Sequence, residues 1–206
     1  MNTREHWNSV YEQKGPSEVS WYRPHLERSL GFIETSGVGL DARIIDVGGG
    51  ASTLVDDLVD RGYRNVTVLD ISPKALESSK GRLGPRGSSV RWLVADLLAS
   101  PAPAEAYDFW HDRAVFHFLQ SEHDRQRYVD RVRSSVKVGG YVLVATFGPG
   151  GPARCSGLDV VRYDVDRLHA EFGASFQKVG SAIETHSTPW GATQQFVYCC
   201  CRVGGA

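Results

Sequence analysis

The stretch Asp46-Val47-Gly48-Gly49-Gly50-Ala51-Ser52 constrains this chain more than any other. Three consecutive glycines follow an apolar, β-branched run and an acid. Glycine costs conformational entropy unless a positive φ or a close approach to bare backbone requires it. The residues before the turn, "ARIIDVG" (42–48), read as a buried strand. Those after it, "STLVDDLVDRGY" (52–63), read as a helix with Leu54, Val55, Leu58 and Val59 at helical spacing, Ser52 or Thr53 as N-cap and Gly62 as stop. Glycines set between a strand and a helix offer bare amides near the positive end of that helix to a bound group.

The same alternation continues along the chain. "NVTVLDIS" (65–72) is a second strand, and "SPKALESSKGRLG" (72–84) opens a helix with a capping Ser72 and Pro73 at the first helical position. "VRWLVADLL" (90–98) and "AYDFWHD" (106–112) are further strands, separated by the Pro-rich loop "SPAPAEA" (100–106). "EHDRQRYVDRVRSSVKVGG" (122–140) reads as an amphipathic helix with a glycine stop, "YVLVATFG" (141–148) as a fifth strand and "DVDRLHAEFG" (164–173) as a helix. The tail changes character: "SFQKVGSAIETH" (175–186) and "TQQFVYCCCRV" (193–203) form a hairpin about the turn "STPWGA". Strand–helix alternation closed by a hairpin implies an α/β fold with a mostly parallel sheet and an antiparallel edge. Residues 1–40 read as a helical lead-in, or lid, on a compact domain over 41–206.

With 206 residues, 41% hydrophobic, 23% charged and a net charge of −1, the chain has material for one core, and its charge balance argues against a nucleic-acid or anionic-membrane surface over the whole molecule while leaving a local basic patch open; neither partner is expected. Its first residues lack an apolar signal core and no stretch is long enough to span a bilayer, so a cytoplasmic location is expected. Cys155, Cys199, Cys200 and Cys201 lack metal-site spacing, and no metal is expected. In the terminal strand Cys199 and Cys201 should face one side and Cys200 the other, as small core residues.

Acids mark three successive strand ends. Asp70 stands where doubly wound folds grip ribose hydroxyls, about 20 residues beyond the glycines. Asp46 would sit badly beside a pyrophosphate and well beside an amino group, and Asp96 is placed to accept from an adenine amine. Thr53 also occupies the position where a dinucleotide fingerprint wants a third small residue. A cationic, phosphate-free nucleoside fits this set.

"IIDVGGGAS", "VTVLDIS", "VRWLVADLL" and "YDFWHD", in that order, resemble the successive motifs of class I S-adenosylmethionine-dependent methyltransferases over roughly residues 40–150. The resemblance implies a Rossmann-like, doubly wound, seven-stranded sheet and S-adenosylmethionine as cofactor. It further implies that Asp46, Gly48 and Gly50 surround the methionine part, with His111 on the same side, and that Gly49 and Ser52 also bind the cofactor. Asp70 would take the ribose, and Ile71, Asp96 and Leu97 the adenine. Trp21 and Tyr22, in "VSWYRP" (19–24), would close the pocket as a lid.

The acceptor is expected after the fourth strand, in "WHDRAVFHFL" (110–119), where Asp112, Arg113 and His117 are the candidate catalytic residues. "HDRAVFHFL", "HWNSVYEQK" and "ETHSTPWG" look similar to the thiopurine, thiol and halide methyltransferase branch, which implies a small-molecule nucleophile with Arg113 holding an anionic or electron-rich substrate. "HWNSVY" and "GYRNVTVLDISPKAL" also resemble small protein-lysine methyltransferases, which leaves a protein acceptor as the alternative, and a catalytically silent cofactor-binding protein as a second. Cys155 and Trp190 are further candidates near the acceptor. The expected enzyme is a monomer or weak homodimer in which residues 148–162 complete the acceptor pocket.

Overall fold

The computed structural model describes residues 3–100 and 103–205. Met1, Asn2, Pro101, Ala102 and Ala206, which belong to the expected lead-in, to the loop at 100–106 and to the end of the expected domain, lie outside the described residues. Two helices come first, α1 (Thr3–Gln13) and α2 (Glu27–Thr35). The alternating body follows: β1 (Arg43–Val47), α3 (Leu54–Asp60), β2 (Asn65–Asp70), α4 (Pro73–Leu83), β3 (Arg91–Val94), β4 (Tyr107–Arg113), α5 (Glu122–Ser135) and β5 (Val136–Phe147). A two-residue hairpin, β6 (Arg154–Cys155) and β7 (Leu158–Asp159), precedes α6 (Val165–Phe172), β8 (Phe176–Ser187) and β9 (Thr193–Val203).

Seven strands form one sheet in the order β3-β2-β1-β4-β5-β9-β8. The pairs β1–β2, β1–β4, β2–β3 and β4–β5 are parallel, whereas β9 runs antiparallel between β5 and β8. This is the doubly wound, Rossmann-like sheet that the alternation implies, with its topological switch between β1 and β4. Ligands in such sheets bind beyond the carboxyl ends of the strands at that switch.

Each face of the sheet carries its own apolar layer. Leu30 and Ile33 of α2, Leu54 and Leu58 of α3 and Leu76 of α4 pack against Ile44, Val68, Phe109 and Leu143. On the other face Tyr128, Val129 and Val132 of α5 and Leu168 and Phe172 of α6 cover Ile45, Trp110, Val142 and Val144. The cysteine run obeys the two-residue period of a strand: Cys200 joins the first layer, Cys199 and Cys201 the second, and all four cysteines are free and buried.

Two element boundaries differ from expectation. The helix expected over 122–140 stops at Ser135, and Val136, Lys137 and Val138 open β5. β-Branched residues at alternate positions favour the strand. Gly139, at φ +82°, and Gly140, where a Cβ would lie 3.0 Å from the Asp108 carbonyl, absorb a register shift against β4. β3 ends at Val94 rather than at 98, because Asp96 folds back: its Oδ1 accepts from the backbone N–H of Leu98 at 2.9 Å and of Ala99 at 3.2 Å. That side-chain turn competes with the ladder.

Phe116 lies fully buried beside Tyr128, Tyr163 and Phe172, with ring centroids 4.9 to 5.8 Å apart. Phe116→Ala removes this keystone without touching the glycine turn. Urea denaturation should read a loss of about 3–5 kcal/mol.

Candidate active site

A cavity of about 370 Å³ opens beyond the carboxyl ends of β1, β2 and β4 and is roofed by α1 and the segment after it. Its floor is the turn between β1 and α3. Gly48 and Gly50 take φ of +64° and +32°, so two of the three glycines meet a backbone requirement that other residues resist. Gly49 meets a steric one: a Cβ there would stand 2.5 Å from Asp46 Oδ2 and 2.8 Å from Val68.

The three strand-end acids sit differently. Asp46 is buried, its Oδ1 bonded to His111 Nδ1 at 2.7 Å, and its Oδ2 has no hydrogen-bond partner. His111 reaches on through Nε2 to the hydroxyl of Ser29 on α2, at 2.9 Å. Asp70 accepts from the Ser72 N–H at 2.8 Å, yet burial pushes its carboxyl up to about 7. Asp96 is half-buried in the turn after β3. All three line the cavity, together with Gly48, Gly49, Ser52, Ile71, Leu97, His111, Trp21 and Tyr22. Gly50 is not on the wall; its missing Cβ leaves room for Asp70 Oδ2, which would be 2.6 Å away.

The roof is fastened through backbone carbonyls. Arg113 Nη1 donates to Trp21 O at 3.0 Å, His186 Nε2 to Ser20 O at 2.6 Å and Thr53 Oγ1 to Arg23 O at 2.8 Å. Arg23 also pairs with Glu184 at 3.2 Å. Arg113 further donates through Nε to Tyr198 Oη at 3.2 Å and lies 4.1 Å above the Phe196 ring. It lines the cavity, with Nη1 bonded to the roof, Nε to β9 and Nη2 buried without a hydrogen-bond partner.

The other residues expected to carry catalysis stand elsewhere. Asp112 is fully buried and accepts from the Tyr128 hydroxyl at 2.6 Å and from the N–H groups of Val115 at 2.9 Å and Phe116 at 3.1 Å. It builds the turn that follows β4, and burial raises its carboxyl to about 6. His117 is buried at that turn, accepts from the Phe147 N–H at 3.4 Å, and is held down to about 3 by burial and by the Arg113 charge. Neither lines the cavity. Trp190 is 59% exposed and also lies off its wall, whereas Cys155 is on it, its thiol pushed up to about 11 by burial.

Sequence reasoning did not single out the rings that α1 contributes. Trp7 and Tyr11 meet Trp21 and Phe118 on the wall, with Trp7 5.3 Å from Phe118 and 6.0 Å from Trp21, edge to face. Their spacing of four in "HWNSVY" was the available signal: it puts both on one helix face.

Comparison with known proteins adds to this geometry. A family model described as a methyltransferase domain matches residues 44–140. Human EEF1A lysine methyltransferase 2 is 26% identical over 160 residues, which span 71% of this chain and 68% of the relative. The protein solved in a study of disulfide-to-thioacetal conversion during echinomycin biosynthesis superposes with a TM-score of 0.80 at 18% identity, over 98% of this chain and 93% of its own. A Burkholderia thailandensis 1,6-didemethyltoxoflavin-N1-methyltransferase solved with S-adenosylhomocysteine gives 0.64 at 18% identity, over 98% and 84%. The chain is a class I S-adenosylmethionine-dependent methyltransferase.

The cavity of this methyltransferase fits its cofactor. The unpaired Asp46 oxygen suits the amino group of the methionine end, Asp70 suits two ribose hydroxyls, and Ile71, Asp96 and Leu97 form a rim for a purine. Asp70 carries a pH consequence. Its pKa rises from 3.8 to about 7 on folding, so before the cofactor binds the carboxyl favours the fold at low pH and disfavours it as pH climbs from about 4 to 7. Hydroxyls donating to the carboxylate reverse the preference. Calorimetry should therefore show S-adenosylhomocysteine binding about tenfold tighter at pH 8 than at pH 6, a slope that Asp70→Asn removes.

Proposed function

We propose that this methyltransferase acts on the side-chain amine of a lysine in a protein, and that the small-molecule thiol acceptor is the weaker reading. The observation that carries this is the group of rings, Trp7, Tyr11, Trp21 and Phe118, on the cavity wall. Such faces receive an aliphatic stem and attract an ammonium head, at about 0.5–2 kcal/mol per ring contact. Several relatives are themselves named as lysine methyltransferases of the elongation factor eEF1A. Arg113, which an anionic small molecule would need, is held in place by Trp21, Tyr198 and Phe196, which leaves Nη2 as its unpartnered donor.

An amine must lose its proton before it can attack. The lysine value near 10.4 falls when the group is desolvated, and four ring faces supply that desolvation without a dedicated base. When bound, S-adenosylmethionine supplies the methyl group on a sulfonium. The protein's work is then alignment and exclusion of water, with α1 and residues 19–23 serving as the lid. A cytoplasmic location accords with an acceptor of the translation machinery.

Radiolabelled cofactor incubated with a size-fractionated lysate should place label on macromolecules, and acid hydrolysis should release it as methyl-lysine. Label confined to small-molecule fractions overturns the reading. With a lysine-bearing protein acceptor in hand, Phe118→Ala should lower kcat/KM about 5- to 30-fold while S-adenosylhomocysteine binds within about threefold of wild type.

A further inference from the structure

We propose that Ser29 and His111 form a buried positioning relay that holds Asp46 ready for the amino group of the cofactor. The inference depends on the cofactor and not on the acceptor proposed above. Three side chains from three separate elements meet here: Asp46 ends β1, His111 ends β4 beside it, and Ser29 comes from α2, outside the alternating body. Ser29, Asp46 and His111 are each no more than 2% exposed, so their contacts are made with one another and toward the cavity rather than with bulk solvent.

The chemistry of the Asp46 contact fixes its direction. A carboxylate only accepts, so His111 Nδ1 carries the proton it shares with Asp46 Oδ1 across 2.7 Å. A neutral ring then presents Nε2 as an acceptor, and the Ser29 hydroxyl donates to it across 2.9 Å. Asp46 thereby selects the tautomer, and Ser29 holds the far side of the ring so that Nδ1 stays aimed at Oδ1.

What remains free is the Asp46 oxygen that the relay does not use. Oδ2 is unpartnered and lies against Gly49, where any side chain would collide with it. An uncompensated buried acceptor is costly unless a ligand completes it. The amino group of the methionine end is the cation of the right size for this corner of the cavity, next to the glycine turn. With Oδ1 pinned, Asp46 meets it with one fixed oxygen and no rotamer search. Ser29 and His111 are positioning residues, since they reach the cofactor through Asp46.

The test compares S-adenosylhomocysteine with its deaminated analogue by calorimetry, together with nitrogen NMR of the His111 ring. Wild type should bind the amine-bearing ligand at least about tenfold tighter, with Nε2 unprotonated. His111→Leu should bring the two ligands to within about threefold of each other, and His111→Asn, which keeps a donor toward Asp46, should restore most of the difference. Equal weakening of both ligands by His111→Leu would reduce His111 to a packing role and overturn the relay. A wild-type ring protonated at both nitrogens overturns it as well. Should His111→Leu fail to fold, Ser29→Ala decides: a narrowed ligand difference with the ring still protonated at Nδ1 supports the relay, and an unchanged ratio refutes it.

Discussion

The turn between β1 and α3 is closed in by the protein's own side chains, and the site depends on that crowding. A Cβ on Gly48 would strike Val115, one on Gly49 would strike Asp46 and Val68, and one on Gly50 would strike Asp70. Bare backbone is needed here to let two carboxylates and two valines stand against the turn, as well as to admit a ligand. The carboxylates gain their fixed positions from this contact. Asp70 is held so far from water that its carboxyl rises to about 7, and Asp46 keeps an oxygen without a partner. Both conditions are unfavourable to the empty fold and are relieved by a ligand that brings hydroxyls and a cation.

The end of β4 shows how neighbouring polar residues can serve three separate structures. Side chains alternate across the sheet, so His111 and Arg113 leave on one side and Asp112 on the other. His111 turns to Asp46, Asp112 to Tyr128 and the following turn, and Arg113 to the roof over the cavity. Ala114 follows at φ +75°, an unfavourable backbone for a residue with a Cβ, and its N–H is fixed to Ala145 O at 2.8 Å. In one dimension "HDRAVFH" looks like a catalytic cluster. In three it is a junction where β1, the roof and the turn to α5 are tied together.

The order of strands and helices was legible because each element of the body carries its own period and punctuation, and the three acids were legible because strand ends are easy to locate. Other features needed distances that sequence spacing does not carry. Val136 to Val138 follow an amphipathic helix without a break, so helical periodicity seemed to run on to Gly139, and only the pairing of Val136 with Tyr107 of β4 reveals β5 there. Ser29 gave no signal, since a serine in a helix has no pattern that points to a histidine 82 residues away. Trp7 and Tyr11 were visible as aromatic, but their meeting with Phe118 depends on how α1 lies across α4. Asn8 on α1 and Ser72 at the start of α4 fix that placement with a 2.7 Å hydrogen bond.

The roof is held in a way that separates its position from its recognition surface. Ser20, Trp21 and Arg23 are bound by their carbonyls, a group every residue has, with the Arg23–Glu184 ion pair as an added side-chain tie. The donors come from β8, β4 and the start of α3, all parts of the rigid body. The side chains of Trp21 and Tyr22 both line the cavity, Trp21 with its ring against Trp7 and Tyr11 of α1. A methyl acceptor and a cofactor must meet within bonding distance in a space cleared of water. Rings placed by a backbone that is itself pinned at three points meet that demand, because displacing them requires breaking bonds to three separate elements at once.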